Sequence, residues 1–181
     1  MLMEQFKTFF LVRTLKRASK ILTAFVLCAP LAYAQEPLPA PKGPPILLVS
    51  GNIEVTNSER GAEFDREMLA ALGVTTIETT TSWTDGVQVF EGVLARTVLD
   101  RVGASGETVV ATALNDFVSP VPMSEIRKYN VLLAMTMNGK QMAVSDKGPI
   151  WIVYPRNDHR ELQDSKYNDR WVWQLRELRV E

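Results

Sequence analysis

The stretch VLLAMTMNGKQMAVSDKGPIWIVYP, residues 131–155, decides the fold class. Residues 131–137 form an apolar run of strand length, and Asn138 and Gly139 follow it directly. Both tolerate a positive φ, which a tight turn between antiparallel strands requires, so this pair is the strongest short hairpin signal in the chain. Asp146, Lys147, Gly148 and Pro149 then break the pattern. Residues 150–154 are apolar and aromatic and read as another strand, stopped by Pro155.

The same reading extends outward. Residues 108–114 form a buried strand that ends in two polar side chains, Asn115 and Asp116. Pro120, Pro122 and Ser124 announce a short helix over 124–129. Leu94, Val98, Leu99 and Val102 mark one helix face, closed by Gly103. Val87 and Val89 alternate as in a strand, and the Thr-rich, β-branched residues 75–81 predict another. Phe64, Met68 and Leu72 repeat every four residues, which predicts a helix over 64–72 with Gly73 at its end. Two short strands are expected at 46–49 and 53–56. At the far end, residues 171–180 place Trp171, Trp173 and Leu175 on one face, and the parity shifts at Leu178 and Val180, which predicts a bulge. These elements, roughly eight to ten strands and two or three short helices, give an α+β fold, mostly β, with mixed or antiparallel sheets.

The first residues read as an export signal. Lys7, Arg13, Lys16, Arg17 and Lys20 precede an apolar run over 21–29, and Ala32-Tyr33-Ala34 offers small residues to a signal peptidase, so cleavage is expected after Ala34. The run is about half of the ~20 residues that a membrane-spanning helix needs. Leu27 stands before Cys28 where a lipid-attachment motif wants a small residue. The expected organisation is a signal peptide at 1–34, a linker at 35–45 and one domain at 46–181, in the periplasm. The linker holds five of the ten prolines and should be extended and poorly packed. The processed chain of 147 residues has lost Cys28, the only cysteine, so it forms no disulfide and offers no thiolate. It carries 15 basic and 20 acidic residues, a charge of −5 with no basic stripe, which argues against nucleic acid.

The common enzyme signatures are missing. His159 is the one histidine, alone in a polar loop. No metal-ligand spacing, phosphate loop, dinucleotide fingerprint or nucleophile elbow occurs. What remains is a set of polar motifs in turns: Thr79-Thr80-Thr81-Ser82-Trp83, Asn115-Asp116-Phe117, Asp146-Lys147-Gly148-Pro149 and Asn168-Asp169-Arg170-Trp171. Polar groups at strand ends beside aromatics suit a flat heteroaromatic ligand, which needs edges to hydrogen-bond and faces to stack on. The same residues also serve as ordinary turns, with Asn and Asp bonded to their own backbone.

Taken together, FEGVLARTVLDRVGASG (90–106), VVATALNDFVSPVP (109–122) and residues 131–155 resemble the sulfite-oxidase-type molybdopterin-binding domain. The resemblance rests on the order of Gly92, Asn115-Asp116, Val121-Pro122, Leu133-Ala134, Asn138-Gly139, Gly148-Pro149 and Pro155. It implies a compact, mostly β fold with a cofactor cleft at loop ends. The redox enzymes of that family bind molybdenum through a cysteine thiolate, and the segment where it would lie reads Thr79 to Trp83. A neutral hydroxyl is a poor substitute for a soft thiolate, so molybdenum is not expected. The chain is most similar to short, exported, cysteine-lacking domains that bind a pterin and signal to a membrane enzyme that makes or degrades cyclic di-GMP. That resemblance implies a pterin site built from Thr81, Trp83, Asn115, Asp116, Lys147 and Arg170, with no catalytic and no metal-ligating residue. Two alternatives stay open: a molybdopterin-dependent oxidoreductase with non-cysteine ligation, and an interaction domain with no ligand.

Overall fold

The computed structural model of the protein describes residues 36–181. The expected export signal, Cys28, the cleavage position after Ala34 and Gln35 lie outside the described residues. Among the described residues no helix is long and apolar enough to cross a membrane.

Two five-stranded sheets share one hydrophobic core. In the first, the spatial order is β2 (Ala62–Phe64), β1 (Leu47–Gly51), β10 (Leu175–Val180), β5 (Thr108–Ala113) and β6 (Val118–Pro122). β1 and β10 run parallel, with Leu48 opposite Glu177 and Val49 opposite Leu178; every other neighbour is antiparallel. The second sheet holds β3 (Thr75–Thr80), β4 (Val87–Leu94), β7 (Leu132–Met137) and β8 (Lys140–Gln141), with β9 (Trp151–Val153) also pairing with β7. Three short helices complete the fold: α1 (Arg66–Ala71), α2 (Ala95–Arg101) and α3 (Met123–Lys128). Two 3-10 turns, Arg160–Gln163 and Ser165–Arg170, lie before β10. The architecture is the α+β, mostly β one expected.

The period-2 pattern accounts for the strands. In β5, Val109, Ala111 and Ala113 are buried while Thr108, Val110 and Thr112 are half-exposed, so one face meets the core. In β7, Leu132, Leu133, Ala134 and Met135 are all buried, as befits a strand between neighbours. The turn after β7 has Asn138 at φ 52 and Gly139 at φ 72, and Asn138 Oδ1 accepts from Val89 N at 3.0 Å. The bulge foreseen in the last strand falls between Leu175 and Glu177.

Four expectations fail for physical reasons. Residues 53–56 form no strand, because Glu54 N and Val55 N both donate to the Val102 carbonyl that ends α2. The helix expected over 64–72 begins only at Arg66. Phe64 belongs to β2, opposite Leu47, and Asp65 caps the helix. Residues 171–174 are not strand, because Gln174 turns to φ 52 and its N–H donates to Lys147 O; β10 starts at Leu175. The segment with Pro120 and Pro122, read as the approach to a helix, is itself β6. Ala113 N donates to Phe117 O, so the hydrogen-bonded pairs with β5 fall at Ser119 and Val121. Both prolines then face away from β5, where a missing N–H breaks no ladder bond.

The Pro-rich segment has no regular structure, as expected, yet it is not poorly packed. Leu38 is 8% exposed. Pro37 O accepts from Arg101 Nη2 and Pro39 O from Asn57 Nδ2. The main anchor is Asp65, itself buried. Its carboxylate accepts from Met68 N at 2.8 Å, Lys42 N at 2.8 Å and Gly43 N at 2.9 Å. One side chain thus caps α1 and ties the segment before β1 to it. The Met68 and Gly43 amides hold its pKa below the ordinary carboxylate value, against the opposing effect of burial.

At Gly92 the β4 and β7 ladders slip by one residue. A Cβ there would lie 2.0 Å from Leu133 O and 2.8 Å from Ala134 Cα. Gly92→Ala should therefore cost about 2–3 kcal/mol by forcing two backbones apart, read as a lower denaturant midpoint. Asp65→Ala, which strips three amides of their acceptor, should cost about 2–4 kcal/mol. Because the folded-state pKa of Asp65 is lowered, its contribution is complete above the usual carboxylate pKa near 3.9 and is lost as pH falls through the folded value. Urea midpoints measured between pH 7 and pH 2.5 should converge for wild type and Asp65→Asn as the pH drops.

Candidate functional site

The turn after β3 is built from its own hydroxyls. Thr79 is fully buried; its Oγ1 accepts from Asn157 N at 3.2 Å and donates to Thr80 O at 3.3 Å. Thr80 Oγ1 donates to Asn157 Oδ1 at 2.7 Å. Thr81 Oγ1 accepts from Trp83 N at 3.0 Å and lies 2.8 Å from Thr84 Oγ1. Ser82 Oγ donates to Asn168 Oδ1 at 3.4 Å. This stitching fixes Trp83 against Trp151, Trp171 and Trp173, with ring centroids 5.7–6.3 Å apart.

Beside Trp83 opens a cleft of about 260 Å³. Trp83, Trp171, Trp173 and Phe117 supply its aromatic surface, and Asn115, Asn168 and Asp169 supply polar edges. Asn115 comes from the turn that joins β5 to β6. Its Oδ1 accepts from Phe117 N at 3.2 Å, so the turn reading of this residue holds while its amide group stays free to donate. The volume lies just under the range of about 300–1,000 Å³ that holds drug-sized ligands. It suits one bicyclic ring.

Of the six candidate residues, Trp83 and Asn115 line this cleft; the other four do not. Thr81 is buried beneath the turn. Asp116 adopts φ 64 and turns outward, 80% exposed, to pair with Arg176 Nη2 at 2.8 Å. Lys147 Nζ donates to Asp146 Oδ1 at 2.8 Å and lies 5.5 Å from the centre of the Trp151 ring. Arg170 donates to Glu125 and covers the Tyr167 ring at 5.0 Å. Residues not singled out one by one take their place: Phe117, Asn168, Asp169, Trp171 and Trp173. Asn168, Asp169 and Trp171 belong to the same tetrapeptide as Arg170, so the motif was visible and only the choice within it was not. His159 packs edge-on against Tyr129 at 4.9 Å, away from the cleft lining.

A more open groove of about 600 Å³ lies along the first sheet, lined in part by Arg60, Glu63, Leu114, Val144, Arg176 and Glu177. It offers no aromatic wall, and its charges are already engaged: Arg60 with Glu63, Arg176 with Asp116, and Glu177 with Ser50. The smaller cleft is the better candidate.

A molybdopterin cofactor would ask this cleft for a thiolate on the metal and cations for its phosphate. Cys28 is the only cysteine in the sequence and lies outside the described residues. The cleft lining includes no Lys or Arg, and the two cations expected there, Lys147 and Arg170, are bonded elsewhere. The residues present do not fit the metal and phosphate parts of that group. They do fit a flat ring with hydrogen-bonding edges. Among the described residues no cluster of three or more His, Cys, Asp or Glu side chains is placed to hold a metal ion.

No curated protein matches the chain. The family described as the oxidoreductase molybdopterin binding domain does match, over residues 52–157, a span that takes in β2 to β9 and the Trp83 and Asn115 sides of the cleft. The order of glycine, strand end, hairpin and Gly148-Pro149 turn, together with the two-sheet fold and the cleft where the loops meet, agrees with that match: the chain belongs to the oxidoreductase molybdopterin binding domain family.

Proposed function

We propose that this member of the family binds a bare pterin-type ring, without molybdenum and without catalysing a reaction, and that it works in the periplasm as the sensing partner of a membrane enzyme of cyclic di-GMP turnover. The observation that carries the binding reading is the composition of the cleft: tryptophan and phenylalanine surfaces, amide and carboxylate edges, and no cation or thiolate. The compartment and the partner rest on the signal-like N-terminal sequence and on the resemblance to short pterin-binding domains.

The physical match is direct. A pterin ring is flat and stacks on indole. Its amino-pyrimidine edge carries N–H donors that the Asp169 carboxylate accepts, and its carbonyl accepts from the free Asn115 amide. Trp171 packs tilted and Trp173 edge-on against Trp83, and all three line the cleft. An interaction domain with no ligand would be expected to fill this space with bulky side chains; here the space is open.

Protein purified from its native compartment should release a pterin on denaturation, seen by its fluorescence, and metal analysis should find molybdenum far below one atom per chain. Stoichiometric molybdenum would instead support an oxidoreductase with unusual ligation. Failure to find or titrate in any pterin would remove the ring-binding reading. Trp83→Ala should weaken pterin binding by about 1–2 kcal/mol, measured by fluorescence titration. Asp116→Ala should leave the affinity within about 0.5 kcal/mol of wild type, because that side chain points to Arg176.

A further inference from the structure

Arg170 stands between two residues that line the cleft, Asp169 and Trp171, yet its own side chain leaves it. The guanidinium donates to Glu125 on α3 and lies over the Tyr167 ring. Both members of the pair are shielded: the side chains are 22% and 17% exposed. The second carboxylate oxygen, Glu125 Oε2, is buried with no hydrogen-bond partner, and so is the Tyr154 hydroxyl. Tyr154 is fully buried. Burial first, and then the negative charge of Glu125, raise its pKa above the ordinary phenol value and keep it protonated. A donor and an acceptor, each lacking a partner, therefore lie within electrostatic reach of one another. The Tyr154 ring sits 5.9 Å from Trp171 and 6.3 Å from Tyr167. The charge pair is thus connected to the cleft wall through Tyr167 and Tyr154, the latter packed on Trp171.

We propose that Glu125 and Arg170 form a latch that positions the cleft wall: Arg170 binds no ligand itself but, held by Glu125 and Tyr167, fixes where Asp169 and Trp171 present themselves to the ring. The Ser165–Arg170 turn is anchored to the core by Tyr167, which is buried and packs on Tyr129 and Tyr154. Its polar side chains are tied more weakly: Asn168 makes one long bond to Ser82 of the β3 turn, and the N-cap Asp164 accepts from Lys166 N within the turn itself. A shielded ion pair is a strong constraint on such a segment, because breaking it strands a charge out of water. The planar guanidinium suits the role better than an ammonium would, since it bonds the carboxylate while stacking on the phenol. This inference rests on the reading of the cleft as a ring-binding site, and its test separates the two.

The test uses Glu125→Gln, Arg170→Met, Arg170→Lys and the charge-swapped double variant Glu125→Arg/Arg170→Glu. Two quantities are read: the Kd for unsubstituted pterin by tryptophan quenching, and the acrylamide accessibility of tryptophan emission in ligand-free protein. The latch predicts that Glu125→Gln and Arg170→Met each raise Kd by about tenfold or more and increase acrylamide accessibility. Arg170→Lys should fall between these and wild type, and the swapped pair should recover most of both losses. Direct ligand contact by Arg170 predicts a different pattern: Arg170→Met raises Kd, Glu125→Gln changes neither quantity, and the swap rescues nothing. That pattern overturns the proposal. If wild type itself fails to bind pterin, the ring-binding reading falls. The latch is then decided by accessibility alone, and unchanged values in Glu125→Gln and Arg170→Met sink it. Should Arg170→Met not fold, Arg170→Lys carries the same comparison.

Discussion

The packing of indole on indole around Trp151 holds this molecule together at the point where it has most to do. Trp151 is fully buried on β9, its Nε1 donates to Trp171 O at 3.2 Å, and Trp83, Phe90, Trp171 and Trp173 all lie edge-on to it within 6.3 Å. Each such contact is worth about 0.5–1.5 kcal/mol beyond the area it buries. These rings come from places far apart in the chain: the turn after β3, β4, β9 and the approach to β10. The cluster is core on its inner side and cleft wall on its outer side. Stability and the shape of the cleft are therefore set by the same contacts, and neither is free to vary alone.

The second constraint is topological. β10 lies at the centre of the first sheet, parallel to β1 and antiparallel to β5. Its partner Leu48 stands well over a hundred residues before Glu177 in the sequence. The sheet cannot close until both ends of the domain meet, and loop closure over such spans slows folding. The Asp65 carboxylate helps at one end by fixing the chain just ahead of β1 through the Lys42 and Gly43 amides.

Much of the fold was legible because its signals were local. Apolar alternation marked β5, the Asn138-Gly139 pair marked the β7–β8 turn, and a parity shift marked the bulge in β10. The misses share a cause: the partner that decided the outcome was remote. Residues 53–56 look like a strand until the Val102 carbonyl takes their amides. Phe64 fits a helical repeat, but pairing with Leu47 claims it for β2. Pro120 and Pro122 look incompatible with a strand until their orientation relative to β5 is known. The candidate site divides the same way. Trp83 and Asn115 could be found from turn chemistry beside aromatics. That Asp116 faces Arg176, that Lys147 covers Trp151 and that Arg170 is bound to Glu125 are tertiary choices, which no spacing along the chain encodes. The hydroxyl run from Thr79 to Ser82 was visible in the sequence, but its work in building the turn depends on Asn157 and Asn168.

The two prolines of β6 have a consequence beyond the sheet they belong to. β6 is the outermost strand on its side, and its free margin runs beside the turn that carries Asn115. Exposed margins recruit other chains, ending in polymerisation, unless something denies them a donor. Within β6 the residues whose amide positions face outward are Val118, Pro120 and Pro122, and the two prolines have no N–H to give. A strand arriving along this border beside the candidate cleft would find only one of three outward positions able to donate, too few to extend the ladder into a fibre.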